Sequence, residues 1–251
     1  MEHGIHIALA PHILWTVAGF PITSSMVAAW VTMIILISGA FFIGKHLQLV
    51  PTKFQIAIET TFGFFIGYME EVLENKQLAE RYFPLIMTIF LYVLFTNLFG
   101  LLPIIGSIGI TKIVGGSPEF IPLVYPSNTD LNMTLALAVI AFIVIEFAGI
   151  TVLGFLRYAS KFVNVTSVIG FFVGIIELVS EVARLVTFSF RLFGNIFAGK
   201  VLILVALFFL PYVLPVPLMA YEVFVSFIQA AVFALLTLFF IKIAITPADA
   251  H

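Results

Sequence analysis

The stretch from Phe162 to Leu210, FVNVTSVIGFFVGIIELVSEVARLVTFSFRLFGNIFAGKVLILVALFFL, holds no proline and no charge run that would mark a loop. Read as one helix it extends ~74 Å at 1.5 Å per residue, against a bilayer hydrocarbon core of ~30 Å. It is therefore either two upright spans with a hidden turn or one helix lying far over in a membrane. With no Pro, Asn-Gly or Asp-Gly inside it, a single steeply tilted helix is the better reading, and Gly170 and Gly174 are its weak points.

Composition agrees that the solvent is lipid. Of 251 residues, 62% are hydrophobic and 10% charged, whereas soluble domains carry about 25% charged residues. So few charges could not cover a globule in water. The chain has no cysteine, which excludes disulfides and thiolate metal sites. A net charge of −2 argues against nucleic acid as a partner. His3, His6, His12, His46 and His251 lie near termini or span ends, and no metal site is expected of them. Glu2, where a secretory signal would have a basic start, speaks against a cleavable leader.

An all-α integral membrane fold follows, a single membrane domain over residues 1–251. Spans are expected at 24–44, 83–105, 131–155 and 218–245, with 162–210 as the long tilted helix. Pro211, Pro215 and Pro217 separate the last two, which then fold back as an antiparallel hairpin. Residues 52–73 carry Phe54, Ala57, Ile58, Phe62 and Phe65 at helical spacing among charges, the pattern of an amphipathic helix at the membrane surface. Asp130 stands where the helix of 131–155 needs its N-cap. Lys45, Lys53, Lys76, Arg81, Arg157, Lys161 and Lys242 fall on one side if the N-terminus is outside and the C-terminus inside; Lys112 alone falls opposite.

The chemistry sits in a polar stripe. Glu177, Glu181, Arg184, Arg191 and Asn195 share one helix face, with Ser180 and Thr187 beside them. Glu181 and Arg184 could neutralise each other one turn apart, but Arg191 has no acid within a turn. An arginine in mid-membrane costs ~2.5–3.5 kcal/mol on insertion scales and cannot shed its charge. It is a fixed positive charge that needs an anion from elsewhere, and a carboxylate on another subunit fits. Glu146 could approach only by tertiary contact. On the last helix Glu222, Ser226 and Gln229 share a face, and an antiparallel hairpin with a lopsided loop brings Lys200 level with Glu222, Asn195 with Ser226, and Arg191 with Gln229, whereas a loop centred near residue 214 shifts that register by about a turn. Lys200 and Glu222 are then expected to form a buried pair. For Asn195 and Ser226 a plain interhelical hydrogen bond is an equal alternative.

Ser189-Phe-Arg191-Leu-Phe-Gly194-Asn195, followed by Ala198-Gly199, resembles the signature of the subunit a family of F-type ATP synthases. Pro51-Thr-Lys-Phe-Gln55 with Glu59, Asn97-Leu-Phe-Gly-Leu-Leu-Pro103, Pro126-Ser127 with Asp130-Leu-Asn132-Met-Thr134, and Gln229-Ala230 are similar to further patterns of that family, in its order. The resemblance implies a proton-conducting membrane subunit beside a rotating ring of c subunits. Two aqueous half-channels would lead protons to and from the ring carboxylates. Arg191 would pair with the deprotonated ring carboxylate and block a shunt. Asn195 and Gln229 would line that region, Glu177 would be a half-channel acid, and Glu222 would work with the position of Lys200. The family commonly has an acid or histidine at the latter position, so the departure leaves Glu222 as the better relay. The resemblance also implies b-type peripheral stalk subunits and a soluble ATP-synthesising sector as partners, and a bacterial inner membrane rather than a mitochondrial one. No cofactor is implied, and no nucleotide-binding loop exists for catalysis by this chain alone.

Two other readings are a stand-alone secondary transporter or channel for a small cation, and a structural subunit of a respiratory complex. The first predicts an internal repeat or paired broken helices, and the sequence has neither. The second leaves the Glu177–Asn195 stripe without a purpose.

Overall fold

Each long apolar run closes its own backbone hydrogen bonds as a helix, the arrangement a chain needs where no water can reach it. The computed structural model describes residues 13–102, 105, 107–114, 117–162, 168–211 and 213–246; His3, His6, His12 and His251 lie outside them. The helices are α1 (Ser24–Lys45), α2 (Lys53–Leu73), α3 (Lys76–Gly100), α4 (Leu131–Leu153), α5 (Phe155–Ala159), α6 (Val168–Phe209) and α7 (Pro215–Ile245). Among the described residues, α1, α3, α4, α6 and α7 are long and apolar enough to cross a membrane.

Side-chain caps set several boundaries. Thr23, Thr52 and Asn75 accept from Met26 N, Gln55 N and Leu78 N to open α1, α2 and α3. Asp130 accepts from Asn132 N to open α4, as expected. The Asn75 cap starts α3 at Lys76 rather than near Phe83, and the helix runs through Pro84 to end at Gly100 rather than near Ile105. Gly154, at φ +84°, stops α4. Pro215 occupies the first turn of α7, where a missing N–H costs nothing.

The described part of the long segment is one unbroken helix of 42 residues, ~63 Å at 1.5 Å per residue; residues 163–167, which precede it, lie outside the described residues. α6 and α7 form the antiparallel hairpin, with the Phe188 and Phe233 rings 5.0 Å apart. They pack with α3 and α4 around Val93, Ala138, Ala141, Ile145, Leu192, Ala230, Ala234 and Leu238, all buried. The alanines let the helix axes approach closely. α1 buries only Ser24, Ser25, Ala28, Ala29 and Thr32, and α2 only Met69 and Leu73. Phe54, Ile56 and Phe64 of α2 stay exposed.

Two hairpins depart from the expected all-helical chain with loops. β1 (Ile13–Val17) pairs with β2 (Phe20–Thr23), and β3 (Gly109–Val114) with β4 (Ser117–Pro122). The first turns through Ala18 and Gly19, both at positive φ, the backbone of a two-residue hairpin loop.

Candidate functional site

Buried residues place one side of α6 against its neighbours: Glu181, Phe188, Leu192, Ile196 and Ala206 face inward. Arg191 falls at the edge of that side and is exposed, together with Ser180, Ala183, Thr187, Asn195 and Ala198. Among the described residues Arg191 forms no ion pair. A charge on a wall of small residues is thus open to whatever packs there. Gln229 on α7 is half-buried.

Toward the end where Pro211 and Pro215 separate the two helices, a cavity of about 370 Å³ opens between α3, α6, α7 and the turn at Pro126–Thr129. Its polar lining is Asn97, Thr129, Lys200 and Glu222. Glu222 is 3% exposed, and its Oε1 has no hydrogen-bond partner. The expected buried pair is corrected here: Lys200 and Glu222 share the cavity without an ion pair, because the Lys200 ammonium lies over the Tyr125 ring, 3.2 Å from its centroid. Asn97 accepts from Asn128 at 2.6 Å. Burial pushes the Tyr125 phenol above its ordinary range. Ser226 is buried with no partner for its hydroxyl, so the interhelical bond to Asn195, one of the two alternatives for that pair, is absent. Asn195 is exposed.

A second polar group gathers at the opposite end, between α4, α5, α6 and α7. Arg184 donates to Glu181 at 2.7 Å and lies 3.8 Å from the Phe240 ring centroid. The Tyr158 hydroxyl donates to Glu146 Oε2 at 3.0 Å, leaving Oε1 buried without a partner. Lys161 donates to the carbonyls of Ile243 and Ala244 at the C-terminus of α7, where the helix dipole favours a cation. Its ammonium also feels Glu177, Glu181 and Glu146, although burial lowers its pKa on balance. Burial first, and the Glu146 carboxylate second, push the Tyr158 phenol upward. Lys242 reaches Glu74 at 3.3 Å and the Leu73 carbonyl at 3.4 Å.

The structure therefore divides the sequence candidates. Glu177 and Glu181 join one polar group, Lys200 and Glu222 the other, and Arg191 and Asn195 stand exposed between them. Tyr125 and Tyr158 were missed, because each acts across a tertiary contact with no spacing signal. Thr134 and Ser189, 3.2 Å apart and buried, tie α4 to α6 unannounced for the same reason.

A family model described as ATP synthase A chain matches residues 26–242. The chain is similar to ATP synthase subunit a of Moorella thermoacetica, 32% identical over 221 residues, covering 88% of this chain and 90% of the relative. It is similar to ATP synthase subunit a of Helicobacter acinonychis, 31% identical over 247 residues, 96% and 99% of the two chains. The Campylobacter jejuni protein of that name is 30% identical over 207 residues, 82% and 83% of the two.

Proposed function

The chain belongs to the ATP synthase subunit a family, and from that membership we propose that it is the stationary proton path against which a ring of c subunits turns. It is a multi-pass membrane protein of a multi-subunit complex. In this reading the α6 wall around Arg191 faces the ring, and each passing ring carboxylate, when ionised, pairs with the guanidinium. The observation that carries the reading is Arg191 itself, exposed on a lipid-length helix and without an ion pair among the described residues. In lipid alone that charge would be costly; against a carboxylate in low dielectric it is stabilised.

The two polar groups supply the half-channels. The cavity with Asn97, Lys200 and Glu222 is the outer one, and Glu222 relays protons in it. Ser226 and Gln229 continue along α7 toward the level of Arg191. Glu146, Glu177 and Glu181 belong to the inner one. Because guanidinium holds its proton at every working pH, Arg191 repels protons between the two without carrying them. Lys161 and Lys242 at one end support an N-outside, C-inside chain in a bacterial inner membrane. The exposed apolar sides of α1 and α2 leave room for b-type stalk subunits.

The test uses the assembled complex in inverted membrane vesicles. Arg191→Ala should leave assembly intact and abolish ATP synthesis coupled to proton entry. Arg191→Lys should fail too, since a compact hydrated ammonium does not replace a planar fork. Normal synthesis by assembled Arg191→Ala complexes would sink the reading.

A further inference from the structure

Lys200 is a cation with no carboxylate partner among the described residues, in a cavity that contains one. Its partner is an aromatic face. Tyr125 follows β4, and its backbone N–H donates to the Ser24 carbonyl at 3.3 Å. The next residue, Pro126, lies so close to Gly100 that a Cβ there would stand 2.8 Å from the proline Cβ. The backbone that carries the ring is thus held between the starts and ends of two helices. The remaining polar groups lining the cavity are Glu222 from α7, Asn97 from α3 and Thr129 from the turn, and only Glu222 is charged.

We propose that Tyr125 is a positioning residue of the proton path: its ring holds the Lys200 ammonium by a cation–π contact and keeps it from pairing with Glu222. The inference rests on the half-channel reading above. A quadrupole attracts a cation most strongly where water is excluded, so the contact holds the Lys200 ammonium still. Four methylenes make the lysine stem flexible, so without the ring the ammonium can swing to the carboxylate. Glu222 works by forming an O–H bond with a proton from cavity water and breaking it on handing that proton to the next acceptor. A carboxylate locked to an ammonium must first break that pair, and an opposite charge favours its ionised form. Tyr125 therefore sets how acidic the outer side must be before the path loads.

The experiment measures ATP synthesis by the complete complex in inverted vesicles while the pH on the proton-donating side is varied. Tyr125→Leu should lower the rate on the order of fivefold to tenfold at neutral pH and move the half-maximal point toward acid. Tyr125→Phe should keep the parent profile. In a Lys200→Gln background, Tyr125→Leu should cause no further change. Should Tyr125→Leu fail to assemble, phenylalanine and trifluorophenylalanine installed at 125 keep the shape and change only the quadrupole; the fluorinated ring should give the acid shift. Equal profiles for those two rings, a shift toward alkali, or the same loss with Lys200 absent would overturn the proposal. Glu222→Gln separates the premises. If it conducts like the parent, the half-channel reading falls. If it blocks while the Tyr125 variants do not respond, only the role of Tyr125 falls.

Discussion

The backbone of Gly199 on α6 lies against the carboxylate of Glu222 on α7, so closely that a Cβ at 199 would overlap both carboxylate oxygens. The glycine is there for space, since its φ is helical. Gly199→Ala should push Glu222 out of its position or part the two helices. We expect intact-complex yield to fall little and vesicle proton pumping to fall severalfold. Adding Glu222→Asp, one methylene shorter, should recover part of the pumping. Unchanged pumping in Gly199→Ala would mean that Glu222 has room elsewhere.

Glu181 and Arg184 make a buried charge pair, 6% exposed on the acid side, and the guanidinium is capped by the Phe240 ring. Breaking such a pair from one side costs about 3–5 kcal/mol, whereas removing both charges costs far less. Arg184→Gln should lower the thermal midpoint of the detergent-solubilised complex more than Arg184→Gln with Glu181→Gln does. A double variant no more stable than the single one would show that Glu181 is held by other partners.

Tyr158 is buried under Gly149 and donates to Glu146. Tyr158→Phe strands a carboxylate oxygen and should cost about 1–3 kcal/mol at neutral pH. The phenol pKa is raised in the folded state, above ~10 for the unfolded chain. Its contribution is therefore complete below pH ~10 and is lost as the pH climbs beyond. Thermal unfolding at neutral and strongly alkaline pH should show the parent losing stability faster than Tyr158→Phe above pH ~10. Parallel losses would remove Tyr158 from that transition.

Much of the fold was legible because lipid leaves little choice. Apolar length alone marks the spans, and Asp130 announces the start of α4 through local capping chemistry. The unbroken α6 was readable from missing breakers, and the hairpin register from the pairing of polar residues: the Gly199–Glu222 and Phe188–Phe233 contacts lie at the level that register requires. Side-chain partners were less legible. Equal height does not make contact: Lys200 and Glu222 are level, but a residue on a different segment, Tyr125, competes for the ammonium and wins. Asn195 and Ser226 are level too, yet the Ser226 hydroxyl is buried without a partner and Asn195 is exposed. The span expected from residue 83 begins earlier, because the Asn75 cap opens α3 at Lys76. The β1–β2 hairpin was missed although Ala18-Gly19 could have signalled its turn.

The two lysine ties at the end of α7 have a mechanical meaning. In the proposed reading a rotor dragged past α6 would exert a sideways pull on the stator with every step, and a helix held only by lipid and alkane-like contacts would creep. Lys161 grips the last carbonyls of α7 from the segment after α4, and Lys242 ties the same end to the turn joining α2 and α3. Force arriving through the α6–α7 hairpin would thereby be shared among helices on both sides of it. On that reading α7 would be the strut of the stator, and its stiffness would limit how much of each step is lost as recoil.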